Sequence, residues 1–158
     1  MNSFYTRQHR RLYIRPVFRV KFMNPCVFYF SRTGNTQTFA EAIAEELQIP
    51  IYDMTTVDPT IVNEYDIVLL GTPVNGFHPA PETLDFISHL PQNPGKPIIL
   101  FCSYGLWIGR TFSKLASEVK KKGFQPILRV KKKMQRGRQW TPQDFADPID
   151  EIRRVLAN

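Results

Sequence analysis

The residues Ser31-Arg32-Thr33-Gly34-Asn35-Thr36 place three hydroxyls, an amide and a glycine within six positions. Hydroxyls and amides donate hydrogen bonds without bringing a fixed charge, and Gly and Asn tolerate a sharply turned backbone. The next segment, Thr38 to Leu47, is apolar at Phe39, Ala40, Ile43, Ala44 and Leu47, which is helical spacing. A helix behind such a loop presents unpaired N–H groups and the positive end of its dipole. The combination suits a phosphate and requires no lysine. The competing reading is an ordinary Ser/Thr-rich turn that caps a helix. Other phosphate motifs fail. Gly71-Thr72-Pro73-Val74-Asn75-Gly76 has the glycine spacing of a Walker loop, but Phe77-His78 stands where Lys-Ser/Thr is required. No G-x-G-x-x-G occurs, so a dinucleotide fingerprint is absent as well.

The elements around these loops alternate. Cys26–Phe30 is a continuous apolar run, as expected of a strand covered on both faces. The helix ending at Leu47 is stopped by Pro50. Ile51–Asp53, Ile67–Leu70, Pro97–Cys102 and Pro126–Val130 read as further strands. Thr83–Leu90, Arg110–Lys122 and Pro142–Leu156 read as helices, with a weak helix at Pro59–Glu64. This order predicts an α/β fold, a three-layer doubly wound sandwich around a five-stranded parallel sheet. Ligands in such sheets bind at the carboxyl ends of the strands near the switch point. The loops at 31–36, 71–79 and 103–109 are therefore the candidate site.

In this setting the first loop resembles the Ser/Thr-x-Thr-Gly-x-Thr phosphate loop of flavodoxins. Gly71-Thr72-Pro73-Val74-Asn75-Gly76 is similar to that family's second flavin loop, and Ser103-Tyr104-Gly105-Leu106-Trp107 falls where the third lies. Without a long insertion in the fifth strand, the chain looks like a short-chain member. The resemblance implies the strand order 2-1-3-4-5 and FMN, its phosphate held by Ser31, Arg32, Thr33, Gly34, Asn35 and Thr36. Thr72, Pro73, Val74, Asn75, Gly76 and Phe77, with Ser103, Tyr104, Gly105 and Trp107, would flank the isoalloxazine. Phe77, Tyr104 and Trp107 are the rings that could stack on it. Gly76 could flip its peptide at the flavin N5 edge. The expected activity is low-potential electron transport, with no catalytic side chain and no metal. One alternative is a flavoenzyme of the NAD(P)H:quinone reductase or protoporphyrinogen oxidase type. Another is an FMN-free interaction module.

Charge separates the chain into two parts. The net charge is +7, but residues 1–22 hold six bases (Arg7, Arg10, Arg11, Arg15, Arg19, Lys21) and no acid. The remaining 15 bases in residues 23–158 face 14 acids. Residues 1–22 are thus expected to be a basic extension outside the core: a misplaced start before Met23, an interaction arm or a targeting segment. Residues 23–158 would form the FMN-binding domain. A near-neutral core argues against nucleic acid as partner, and no apolar run reaches the roughly 20 residues of a membrane span. The tract Lys131, Lys132, Lys133, Arg136 and Arg138 departs from the acidic habit of flavodoxins. If it docks a redox partner, that partner should be acidic. Cys26 and Cys102 lack metal-ligand spacing and read as buried free thiols in a reducing, cytoplasmic setting.

Overall fold

A computed structural model describes residues 23–158. The expectation for residues 1–22 lies outside the described residues. The chain runs β1 (Pro25–Tyr29), α1 (Asn35–Leu47), β2 (Ile51–Asp53), β3 (Ile67–Asn75), β4 (His78–Pro79), α2 (Pro81–Ser88), β5 (Pro97–Tyr104), α3 (Thr111–Lys121), β6 (Gln125–Lys133) and α4 (Ala146–Ala157). Short 3₁₀ helices at Pro59–Glu64 and Pro142–Phe145 lead into β3 and α4.

Five strands are parallel, in the spatial order β2-β1-β3-β5-β6, which is the doubly wound order expected. The sheet has six strands rather than five, because β4 folds back antiparallel on the tip of β3. Asn75 pairs with His78 around the two residues Gly76 and Phe77, whose φ values are 56° and 68°. Two successive positive φ angles are what a tight type I′ hairpin needs. Gly76 adopts one freely. Phe77 does not advertise it, so this hairpin was not visible in the sequence.

Successive residues of each strand feed opposite cores. Phe28, Val68, Leu70, Leu100 and Cys102 pack under α2 and α3, whereas Val27, Leu69, Ile99 and Phe101 pack under α1 and α4. Burial on both faces explains the unbroken apolar runs, each large side chain contributing about 1.5–3 kcal/mol. Gly71 serves this packing: a Cβ there would stand 2.1 Å from the Phe101 ring. Cys26 and Cys102 are buried free thiols, and burial pushes both up to about 12.

Four element boundaries differ from the expected ones in ways that shape the site, one of them the end of β5, which runs to Tyr104 rather than Cys102 and takes in the start of the presumed third loop. The first helix begins at Asn35, not Thr38. β3 continues through Pro73 to Asn75, so part of the presumed second loop is strand. β6 continues to Lys133, pairing Lys131, Lys132 and Lys133 with Cys102, Ser103 and Tyr104. An edge strand needs only one neighbour's backbone, so its outer half tolerates charged side chains that apolar patterning does not reveal.

Candidate functional site

The first loop closes on itself before it offers anything outward. The Gly34 N–H donates to Ser31 Oγ at 3.1 Å, and Gly34 O accepts from both the N–H and the Oγ1 of Thr38 at 2.9 Å. Gly34, at φ 94°, is the N-cap of α1 and supplies no side-chain cap. The opening N–H groups of α1 are therefore left for a ligand. Thr36 points down rather than out. It is buried, and its Oγ1 lies 2.7 Å from Ser103 Oγ, joining α1 to the end of β5. Arg32 reaches sideways, donating to both Glu82 oxygens at 2.8 and 2.9 Å and to Asn75 Oδ1 at 3.3 Å. The backbone N–H of Glu82 and then the Arg32 guanidinium hold that carboxyl below its ordinary range. Both side chains are nearly half exposed, so the pair fixes geometry more than it adds stability.

The second and third loops are tied to the fold and to each other. Thr72 is fully buried. Its Oγ1 accepts from Ala80 N–H at 3.2 Å and Thr83 Oγ1 at 2.8 Å and donates to Pro73 O at 3.0 Å, pinning β3 to the start of α2. Beyond the hairpin, Arg110 N–H donates to Phe77 O at 2.8 Å. Gly109 sits so close that a Cβ would stand 2.4 Å from Phe77. The rings of Phe77 and Trp107 lie 5.5 Å apart, both exposed. Met134 N–H donates to Tyr104 O at 2.8 Å and fastens the third loop to the end of β6.

Between these loops lies a cleft of about 260 Å³. Arg32, Thr33 and Asn35 line it from the first loop, Pro73, Val74 and Asn75 from β3, and Ser103, Tyr104 and Gly105 from β5 and its loop. Of the sequence-predicted residues, Ser31, Gly34, Thr36, Thr72, Gly76, Phe77 and Trp107 do not line it. Ser31, Gly34, Thr36 and Thr72 support its walls, and Gly76, Phe77 and Trp107 stand on the bordering loops. Met134, which was not foreseen, lines the cleft, and Gly109, inside the expected 103–109 loop but not named as a site residue, braces the border. No local signal marked Met134. The lining contains hydroxyls, amides and one arginine but no carboxylate, a chemistry that suits an anion. A cleft of about 480 Å³ lies on the other side of the Arg32–Glu82 pair, with Glu82 and Asp85 in its wall and Phe30, Met54 and Phe86 beneath. Its acids repel a phosphate, so the smaller cleft is the better anion site. Among the described residues no group of three or more His, Cys, Asp or Glu could hold a metal, and no helix is long and apolar enough to cross a membrane.

The basic tract is split by the strand. Lys131 lies 5.9 Å from the Tyr104 ring centre. Lys132 faces the other way, over Trp140 and Phe145. Arg138 lies 4.7 Å over Trp140 and pairs with Asp144 at 2.5 Å.

The family model described as a flavodoxin domain matches residues 26–147. No curated protein sequence matches significantly. Solved structures share the fold. The two-electron reduced flavodoxin of Megasphaera elsdenii aligns over 80% of this chain and 98% of its own, at 21% identity and a TM-score of 0.65. A WrbA-like flavodoxin of Agrobacterium tumefaciens aligns over 85% and 98%, at 16% identity and 0.64. A flavoprotein of Lactobacillus acidophilus in complex with FMN aligns over 69% and 93%, at 17% identity and 0.53.

Proposed function

Because this chain belongs to the flavodoxin family, we propose that it binds FMN in the three-loop cleft and acts as a low-potential electron carrier. One observation carries the reading: the three segments singled out for chemistry converge on one cleft whose lining is free of carboxylates. The residues present fit the group. Thr33, Asn35 and the open N–H groups of α1 would hold the phosphate, with Arg32 beside it. Asn75 and Gly76 would meet the N5 edge, and Tyr104 would lie along the ring, with Phe77 and Trp107 at its border. FMN, when bound, supplies one- and two-electron redox chemistry, and the protein sets its potential through stacking and hydrogen bonds. Thr36, spent on Ser103, acts by fixing the floor rather than by reaching the phosphate. An electron carrier is favoured over a substrate-specific reductase because the neighbouring 480 Å³ cleft is divided from this one by the bonded pair Arg32–Glu82. The free buried thiols suit a reducing, cytoplasmic compartment.

The test is a titration of flavin-free protein with FMN, FAD and riboflavin. FMN should bind tightest, and Thr33→Ala should weaken FMN about ten- to hundredfold, as expected for one lost bond to a charged phosphate worth roughly 1.5–3 kcal/mol. Riboflavin should hardly change. Equal weakening of both would show that the first loop does not hold a phosphate. Stepwise reduction followed by absorbance then separates single-electron transfer from transfer in pairs.

A further inference from the structure

Charge on residues 23–158 is polarised in a way that their near-neutral balance of 15 bases and 14 acids conceals. Between Asp85 and Asp144 the sequence contains one acid, Glu118, and that carboxylate is shared by Lys114 and Lys121 at 2.9 Å each. From Glu118 to Asp144 nine lysines and arginines follow without an acid. The structure gives part of this excess a geometry. The register sets Arg129, Lys131 and Lys133 of β6 opposite Leu100, Cys102 and Tyr104 of β5. Alternate strand residues share a face about 6.6 Å apart, so these three cations form a regular ladder. All three are exposed. Their intervening neighbours face the other core: Val130 is buried, and Lys132 lies over Trp140 and Phe145. Of the tract expected from the sequence, Lys132 and Arg138 are therefore engaged elsewhere, and Arg129 takes a place on the ladder.

The ladder leads to the cleft. Its last rung, Lys133, is registered with Tyr104, which lines the cleft, and Lys131 lies over the same ring. Just beyond Tyr104, Leu106 is 87% exposed and Trp107 63%. Resting on the flavin reading above, we propose that Arg129, Lys131 and Lys133, together with Leu106 and Trp107, form the docking surface for an acidic redox protein. The partner's carboxylates align along β6 while an apolar contact at Leu106 and Trp107 brings its redox centre to the flavin edge. FMN, when bound, would supply one electron to the partner's oxidised centre, with no bond formed or broken, and the surface would only orient the partner for that transfer. Lysines on an edge strand also discourage pairing with other strands. That task is served by a charge anywhere along the strand and does not require a row ending at the cleft.

The experiment uses flavin-loaded, anaerobically reduced protein in stopped flow, with ferricyanide as an anionic oxidant and hexaamminecobalt(III) as a cationic one. At about 0.1 M ionic strength charges beyond roughly 10 Å are screened, so the rates report the local surface. The triple variant Arg129→Glu, Lys131→Glu, Lys133→Glu should slow ferricyanide tenfold or more and speed the cobalt complex, with both effects fading at 1 M. The variant Lys120→Glu, Lys121→Glu, Arg154→Glu makes the same charge change in the last turns of α3 and α4, at the opposite pole of the sheet, and should change either rate less than twofold. If the reversed ladder fails to fold, the neutral triple Arg129→Gln, Lys131→Gln, Lys133→Gln should show about half the effect on a logarithmic scale. Fluorescently labelled polyglutamate should bind flavin-free protein, and the ladder variants, which keep the six bases of residues 1–22, should bind it at least tenfold more weakly while the opposite-pole variant changes less than twofold. Equal responses from the two poles, or no response, would overturn the proposal. So would duplex DNA displacing polyglutamate at equal charge concentration, which would assign the face to nucleic acid. Failure to take up any flavin would instead refute the flavin reading, and polyglutamate binding would still judge the ladder.

Discussion

The hydroxyl pair Thr36–Ser103 gives a stringent test of how the cleft is held. The two oxygens are 2.7 Å apart, and the residues are 1% and 3% exposed. Thr36→Val keeps shape and volume but leaves the buried Ser103 Oγ without this partner. An orphaned buried hydroxyl costs about 1–3 kcal/mol, more than the net gain of a typical hydrogen bond. Ser103→Ala should cost a similar amount by stranding Thr36. The double variant Thr36→Val, Ser103→Ala removes both polar groups, so it should cost no more than the worse single change. The coupling energy is then about 1 kcal/mol or greater. For a chain of this size each kcal/mol moves the melting temperature by about 2–4 °C, so each single variant should melt about 2–12 °C lower. Urea unfolding of the flavin-free protein measures all three variants against wild type. If the two single costs add within about 0.5 kcal/mol in the double variant, the hydroxyls are not coupled. The account of Thr36 as part of the floor would then be wrong.

Two further outcomes follow from the packing and the charges. Gly71→Ala drives a methyl into the buried Phe101 ring, 2.1 Å away, and should destabilise by about 1–3 kcal/mol or more in urea unfolding. Adding Phe101→Leu should recover part of that loss, and no recovery would mean that the ring is not the obstacle. The Asp144 carboxyl is held below its ordinary range, first by the Thr141 backbone N–H, then by the Thr141 hydroxyl and by Arg138. A lowered folded pKa contributes stability that is present above the unfolded carboxylate value of about 3.9 and is lost as pH falls through the lowered one. The stability gap between wild type and Asp144→Asn should therefore be constant near neutrality and narrow below about pH 4. A gap independent of pH down to acid unfolding would refute the assignment.

What was legible in the sequence depended on whether a residue's role follows from its neighbours in the chain. Cys26–Phe30 and Pro97–Cys102 are apolar throughout because both sheet faces are covered, and their alternation with amphipathic helices points to a parallel sheet. The first loop was legible for the same reason: Gly34 turns the chain and the helix starts at once. Thr36 was read as ligand-facing because it shares a loop with Thr33, and Thr72 because it falls in the second flavin loop, whereas their partners, Ser103 and Thr83, lie in other segments and are invisible to a local pattern. A hydroxyl on a short loop has two competing uses, a ligand or a neighbouring strand, and only the packing decides between them. The Lys131–Lys133 run posed the same problem in terms of charge. Three consecutive lysines look like one patch, but a strand sends alternate residues to opposite faces. Lys132 therefore ends on Trp140, while Lys131 and Lys133 stay beside Tyr104 with Arg129, which no run had joined to them. Period-two geometry thus turns a linear charge run into a directed row, and where β6 ends decides that the row points at the cleft.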